Sequence, residues 1–276
     1  MILITGANGL VGRHVTNLLL QQGIPVAAVT RESQPPNGAT AVTGDLFDPH
    51  WLAETLDTVE AIQISPRATG PGLPELLQLA HKHGVRRAVL LSATTVEHPA
   101  GEPRFAAQFK AAEDLVKDSG LDWTILRLAD FAANALAWVP QLKAGDVIRG
   151  AYAGATTSPI HEADIAAIAV QALAGKAHTG STLTLTGPEP LDQQEKVRII
   201  GAALGRPLSF QELPPEQVRQ AMLAQGLPEE VPARLLGSLA DYAQTPGPTT
   251  QTVQDLLGRP AKTFADWSND NTPAFR

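Results

Sequence analysis

The chain has 276 residues, 43% of them hydrophobic, a formal net charge of −7 and no cysteine. That size and apolar share suit one large α/β domain, or a nucleotide-binding domain with a modest appendage, and exclude global disorder. The acidic balance without a long basic run speaks against a nucleic-acid partner, and the lack of cysteine removes disulfides, thiolate catalysis and cysteine-based metal sites. No cleavable leader precedes Met1-Ile2-Leu3-Ile4, and no apolar stretch approaches the roughly 20 residues of a spanning helix. A cytoplasmic protein with no membrane partner is expected.

In chain order, Ile2–Ile4 reads as a short buried strand. Arg13–Gln22 carries Val15, Leu18 and Leu19 at helical spacing and stops at Gly23. Ile24–Val29 and Thr40–Thr43 are strands, the latter running into Gly44-Asp45. Trp51–Leu56 is a helix, Ala61–Ile64 a strand, Leu73–His83 a helix closed by Gly84. Ala88–Leu91 is the fifth strand, Phe105–Ser119 a helix closed by Gly120, and Trp123–Leu126 the sixth strand. This rhythm implies βαβ units and a parallel sheet, a Rossmann-type doubly wound α/β fold. Beyond Arg127 the pattern loosens. Phe131–Leu142 and Asp164–Ala174 read as helices, with Asp164 as the N-cap of the second, and Thr182–Thr186 as a strand. Short helices follow, chiefly Gln193–Leu204 and Pro215–Gln225, among many prolines and glycines. The expected division is a nucleotide-binding domain over 1–187, with a substrate-side insertion at about 131–158, and a smaller substrate-side lobe over 188–276.

Gly6-Ala7-Asn8-Gly9-Leu10-Val11-Gly12 follows a strand and opens a helix. There, one glycine permits the tight turn, one lets pyrophosphate approach the backbone and one lets the helix pack on the strand. The helix N-terminus then meets the phosphates along a favourable dipole. Gly6, Asn8, Gly9, Leu10 and Val11 are therefore candidate dinucleotide contacts. At the end of the second strand stands Thr30-Arg31-Glu32. Arginine suits a 2′-phosphate, so Arg31 points to NADP(H); Glu32 is the rival that would hold an unphosphorylated ribose. Ser65 and Pro66 follow the fourth strand and are expected to cover the cofactor. Ser92 ends the fifth strand, beside the expected nicotinamide, where it would touch the cofactor or orient a carbonyl; Thr94 follows it. His161-Glu162 and His81-Lys82-His83 lack the spacing of a metal site, so no metal is expected.

These residues resemble the NmrA-like branch of the short-chain dehydrogenase/reductase superfamily. The likeness rests on Thr5–Gly12, Gly44-Asp45-Leu46, Gly84–Ala93, the stretch Ser119–Arg127 with Phe131 and Asn134, Thr186–Glu189 and Leu204–Pro207. It implies NAD(P) at the carboxyl edge of a parallel sheet, with Asp45 and Leu46 at the adenine. The superfamily's reductases use a Ser or Thr, a Tyr and a Lys four residues later. Here the two tyrosines, Tyr152 and Tyr242, lack that lysine, and aligning through Glu113 and Ser119-Gly120 puts Phe105 at the Tyr position and Phe109 at the Lys position. Phenylalanine has no proton to give. Three readings stay open. In the first, the chain is a ketoreductase like those of aromatic polyketide antibiotic pathways. Thr94, Phe105, Phe109, Phe131 and Trp138 would then line a pocket for an aromatic ketone whose own hydroxyl replaces the missing acid. The second is an NADPH-dependent quinone reductase, and the third a non-catalytic NADP(H) sensor.

Overall fold

The structure, a computed structural model, describes residues 1–30 and 34–276. β1 (Ile2–Thr5), β2 (Val26–Thr30) and β4 (Ala61–Ile64) are buried at every position, as strands covered on both faces must be. With β3 (Thr40–Thr43), β5 (Arg87–Ala93), β6 (Asp122–Leu128) and β8 (Ser181–Leu185) they make a seven-stranded sheet in the order β3-β2-β1-β4-β5-β6-β8. The pairs β1–β2, β2–β3, β1–β4, β4–β5 and β5–β6 are parallel. The order reverses between β1 and β4, the doubly wound arrangement in which ligands sit outside the strands' carboxyl ends.

Helices cover both faces. α1 (Leu10–Gln21) packs on α7 (Glu162–Ala174), which also meets β4, β5 and β6. The opposite layer begins with α2 (Ala53–Leu56), α3 (Pro66–Thr69), α4 (Leu73–Lys82) and α5 (Pro103–Lys117). Its core joins Leu3, Ile62, Ile64, Leu90 and Ile125 of the strands to Leu76, Ala80, Ala112 and Val116 of the helices. α7 starts at Glu162, so Asp164 lies inside its first turn and is buried there, not at the N-cap expected of it.

The remaining elements are α6 (Val139–Ala144), β7 (Val147–Gly150), α8 (Gln193–Leu204), β9 (Ser209–Glu212), α9 (Pro215–Ala224), α10 (Glu230–Gln244), α11 (Thr252–Leu257), α12 (Phe264–Asp270) and α13 (Thr272–Phe275). The helix expected over Phe131–Leu142 is a 3₁₀ segment, Ala132–Trp138, running into α6. β7 and β9 form a separate parallel pair. Ile148, Ile199, Ile200, Phe264, Trp267 and Phe275 build a second core, with Phe264 stacked on Trp267 at 5.5 Å between centroids.

The chain divides into two compact units: residues 1–93, 108–128 and 162–184 form one, and 94–107, 129–161 and 185–276 the other. The second unit thus draws on three separate stretches; the expected division put 1–187, with a substrate-side insertion at about 131–158, on one side and 188–276 on the other. No helix among the described residues is long and apolar enough to cross a membrane.

Candidate active site

In the first unit, β1 delivers the chain into the glycine turn. Gly6 takes a φ of +70°, and its carbonyl accepts the Gly9 amide at 2.9 Å. A Cβ at Gly12 would run into that same carbonyl, and one at Gly9 would stand 3.1 Å from it, so the start of α1 lies against the turn as only glycine allows. α1 begins without a side-chain cap and without an acid in its first turn. Its leading amides therefore keep their capacity for an anion, as a pyrophosphate needs. Val11 is buried and Leu10 is 38% exposed.

The turn is tied to the strand ends around it. The Asn8 amide donates to Thr30 Oγ1 (3.2 Å) and to the Gln34 carbonyl (3.3 Å), flanking the segment that carries Arg31. Arg31 and Glu32 themselves lie outside the described residues. The Ser65 amide donates to Thr5 Oγ1 at 2.8 Å, and the Ser65 side chain borders the space where a Gly6 Cβ would be. Gly6 and Ser65 are thus neighbours, with Ala68 beside them. Asp45 accepts the Phe47 amide at 3.0 Å, and its carbonyl accepts Trp51 Nε1 at 2.8 Å. Leu46 is buried in the core, so its side chain has no part in adenine contact; only its backbone remains for that role.

The structure redirects Ser92. Its hydroxyl donates to Glu113 Oε1 at 2.7 Å, and Ser92 is only 3% exposed. Glu113, fully buried on α5, also receives Arg127 Nε on Oε1 (2.9 Å) and Arg127 Nη2 on Oε2 (2.8 Å). Burial pushes the Glu113 carboxyl up. Hydrogen bonds from Arg127 and Ser92, with the charges of Arg127 and Lys117, outweigh it and hold the group below its ordinary value. The trio locks α5 to β5 and β6. A hydroxyl whose proton is spent on a buried carboxylate is not placed to polarise a carbonyl, the role expected of Ser92.

In the second unit, four polar residues converge just beyond β6. Asp130 Oδ2 accepts Thr157 Oγ1 (2.8 Å) and Lys196 Nζ (3.2 Å), Oδ1 accepts the Asn134 amide (2.6 Å), and Lys196 also donates to Thr157 Oγ1 (2.6 Å). Lys196 is 5% exposed. Thr94 is buried directly after β5. Burial raises the Tyr242 pKa, the Asp130 and Asp241 charges add to that, and Thr94 opposes it. Phe105 lies under the Arg234 guanidinium, 4.8 Å from its ring centroid. Phe131 pairs through its backbone with Ile160, whereas Trp138 packs against the second unit's core and is no free pocket wall. Phe109 is half-buried on α5. Sequence reasoning missed Asp130, Thr157 and Lys196. Only the Asp130/Asn134 spacing after the sixth strand carried a signal. Among the described residues no group of three or more His, Cys, Asp or Glu could hold a metal.

The NAD(P)H-binding family profile matches residues 6–176. A (4-alkanoyl-5-oxo-2,5-dihydrofuran-3-yl)methyl phosphate reductase of Streptomyces griseus is 34% identical over 280 residues, covering 100% of this chain and 99% of that protein. An NAD(P)H azoreductase of Xenophilus azovorans is 28% identical over 291 residues, covering 100% and 99%. The crystal structure of an NADPH-dependent quinone oxidoreductase from Escherichia coli superposes with a TM-score of 0.83 at 24% identity, covering 99% and 100%. The chain belongs to the NAD(P)H-binding family and is an NAD(P)H-dependent oxidoreductase with an atypical short-chain dehydrogenase/reductase fold.

Proposed function

We propose that the chain is an NADPH-dependent reductase of electron-poor, conjugated small molecules whose reduced anion is stabilised by its own delocalisation. What supports this reading is the alignment through Glu113 and Ser119-Gly120, which puts Phe105 and Phe109 at the positions of the superfamily's acid tyrosine and its lysine. NADPH, when bound, supplies the hydride. The glycine turn holds its pyrophosphate, Asn8 and Ser65 shape the cradle, and Arg31 pairs with the 2′-phosphate. With phenylalanine at both positions, the acceptor must tolerate negative charge by itself. An aromatic ketone hydrogen-bonded to its own hydroxyl does so, and a quinone does so too. The names of the Streptomyces and Xenophilus proteins, an acyl-substituted unsaturated lactone reductase and an azoreductase, support the same common property. Within this class the preferred substrate is an aromatic polyketide ketone, whose own hydroxyl supplies the hydrogen bond that a phenylalanine cannot.

The test is NADPH oxidation by the purified protein against matched acceptors. A quinone, an unsaturated acyl lactone and a peri-hydroxy aryl ketone are expected to be reduced, and the O-methylated aryl ketone and saturated ketones are not. The double variant Phe105→Tyr with Phe109→Lys should leave the rates on conjugated acceptors within about threefold. Equal turnover of a saturated ketone would mean that an acid is present after all.

A further inference from the structure

Among the described residues, Phe47 is the most exposed of the large apolar side chains, 53% open to solvent. A single exposed apolar side chain is ordinary, but the backbone is built around this one. Asp45 Oδ1 accepts the Phe47 amide at 3.0 Å, and the Asp45 carbonyl accepts Trp51 Nε1, whose ring fills the place of a Gly44 side chain. One side of the Phe47 ring lies against Gly70, where a Cβ would run into Cε1 and Cζ, and a Cβ at Gly72 would strike the Leu46 carbonyl. Both glycines are thus bare where residues 46 and 47 lie. We infer that the open side of the Phe47 ring is the surface on which the adenine of NADP(H) stacks.

The ring stands where such a base has to lie, and every residue of the argument belongs to the first unit. β1, β2, β3 and β4 run parallel, so the segments that follow β3 and β4 emerge at one edge, outside which a doubly wound sheet holds its ligand. From the glycine turn to Phe47 the wall is continuous. Ser65 Cβ and Ala68 Cβ stand 3.5 and 3.6 Å from the place of a Gly6 Cβ, α3 ends at Thr69, and Gly70 follows with the Phe47 ring against it. Ala68 and Gly70 are two residues apart, at most about 7 Å of chain. The ring is therefore set off from the pyrophosphate turn by about the reach of a ribose between phosphate and base. A fixed aromatic ring offers a flat face on which any purine stacks, whatever groups its edge carries. Asp45 Oδ1 is spent on the Phe47 amide, so the acid expected at the adenine also serves to hold the ring.

Calorimetry on the purified protein tests this without turnover, using NADP⁺ and its adenine half, adenosine 2′,5′-bisphosphate. Phe47→Ala should weaken both about tenfold, the ordinary worth of one base stacked on an aromatic ring. The unliganded melting temperature should stay close to the parent's, because the side chain is more than half exposed. Phe47→Trp should restore the affinity. Gly70→Ala keeps the ring but pushes it off its seat, and should weaken both ligands in the same direction. The analogue of NADP⁺ with hypoxanthine in place of adenine should suffer the same loss in Phe47→Ala, since stacking reads the face of the base and not its edge. If Phe47→Ala does not fold, Phe47→Leu, apolar but not flat, takes its place with the same expectations. The inference is overturned if the variant binds both ligands within about twofold of the parent, if Phe47→Trp binds as weakly as Phe47→Ala, if the loss vanishes with hypoxanthine, or if the melting temperature falls along with the affinity. A parent protein that binds neither ligand overturns it as well.

Discussion

Glu113 shows how much one side chain fixes here. A carboxylate with no exposed surface is costly unless every oxygen is engaged, and Ser92 and Arg127 engage both. Because the folded group titrates below its ordinary value of 4.5, its contribution to stability is complete above that value. It is lost as the pH falls through the lower, folded one. Glu113→Gln should cost about 3 kcal/mol at neutral pH and flatten the decline in melting temperature below pH 4.5 that the parent shows. Ser92→Ala removes one donor, should cost about 1 kcal/mol, and should leave turnover within about threefold. Thermal melts from pH 7 to 3 check the first, and a parallel decline in parent and Gln variant would refute it. A thousandfold loss of rate in Ser92→Ala would restore the serine to the chemistry.

At the scale of elements, the legible parts were those whose signals are local. α8 was readable because Asp192 caps it by accepting the Glu195 amide and Gly205 ends it in the left-handed region. β4 was readable because Ala61–Ile64 is a short run buried on both faces. β7 and β9 were not. Each is four residues long, and they pair across some sixty residues of chain, with Gln141 bonding both backbone groups of Arg149. α10 was hidden by Pro232, which reads as a breaker but stands in the first turn, where no intrahelical amide bond is due. The glycine turn was therefore foreseen from the sequence, and α10 was not. α10 also dictates Gly101, whose φ is +72° and whose Cβ would press on the Ser238 amide at 2.9 Å. Gly101→Ala should therefore cost about 1–3 kcal/mol and several degrees of melting temperature. An unchanged melt would mean that the helix does not lie against this loop.

For the whole molecule, the two compact units share one chain that passes repeatedly from one to the other. A fragment ending at residue 187 keeps the seven-stranded sheet but strips Ala132, Leu142 and Ile148 of Ile199, Phe264 and Trp267. Such a fragment should show no single sharp unfolding transition and should associate through its bared apolar surface. A cooperative melt with parental NADPH affinity would contradict this. The same interleaving bears on how such a protein acquires a new substrate. The stretches 94–107, 129–161 and 185–276 do not travel as one cassette, so a single recombination crossover between relatives yields mismatched halves. A laboratory chimera therefore needs all three stretches exchanged together, with junctions at the strand ends.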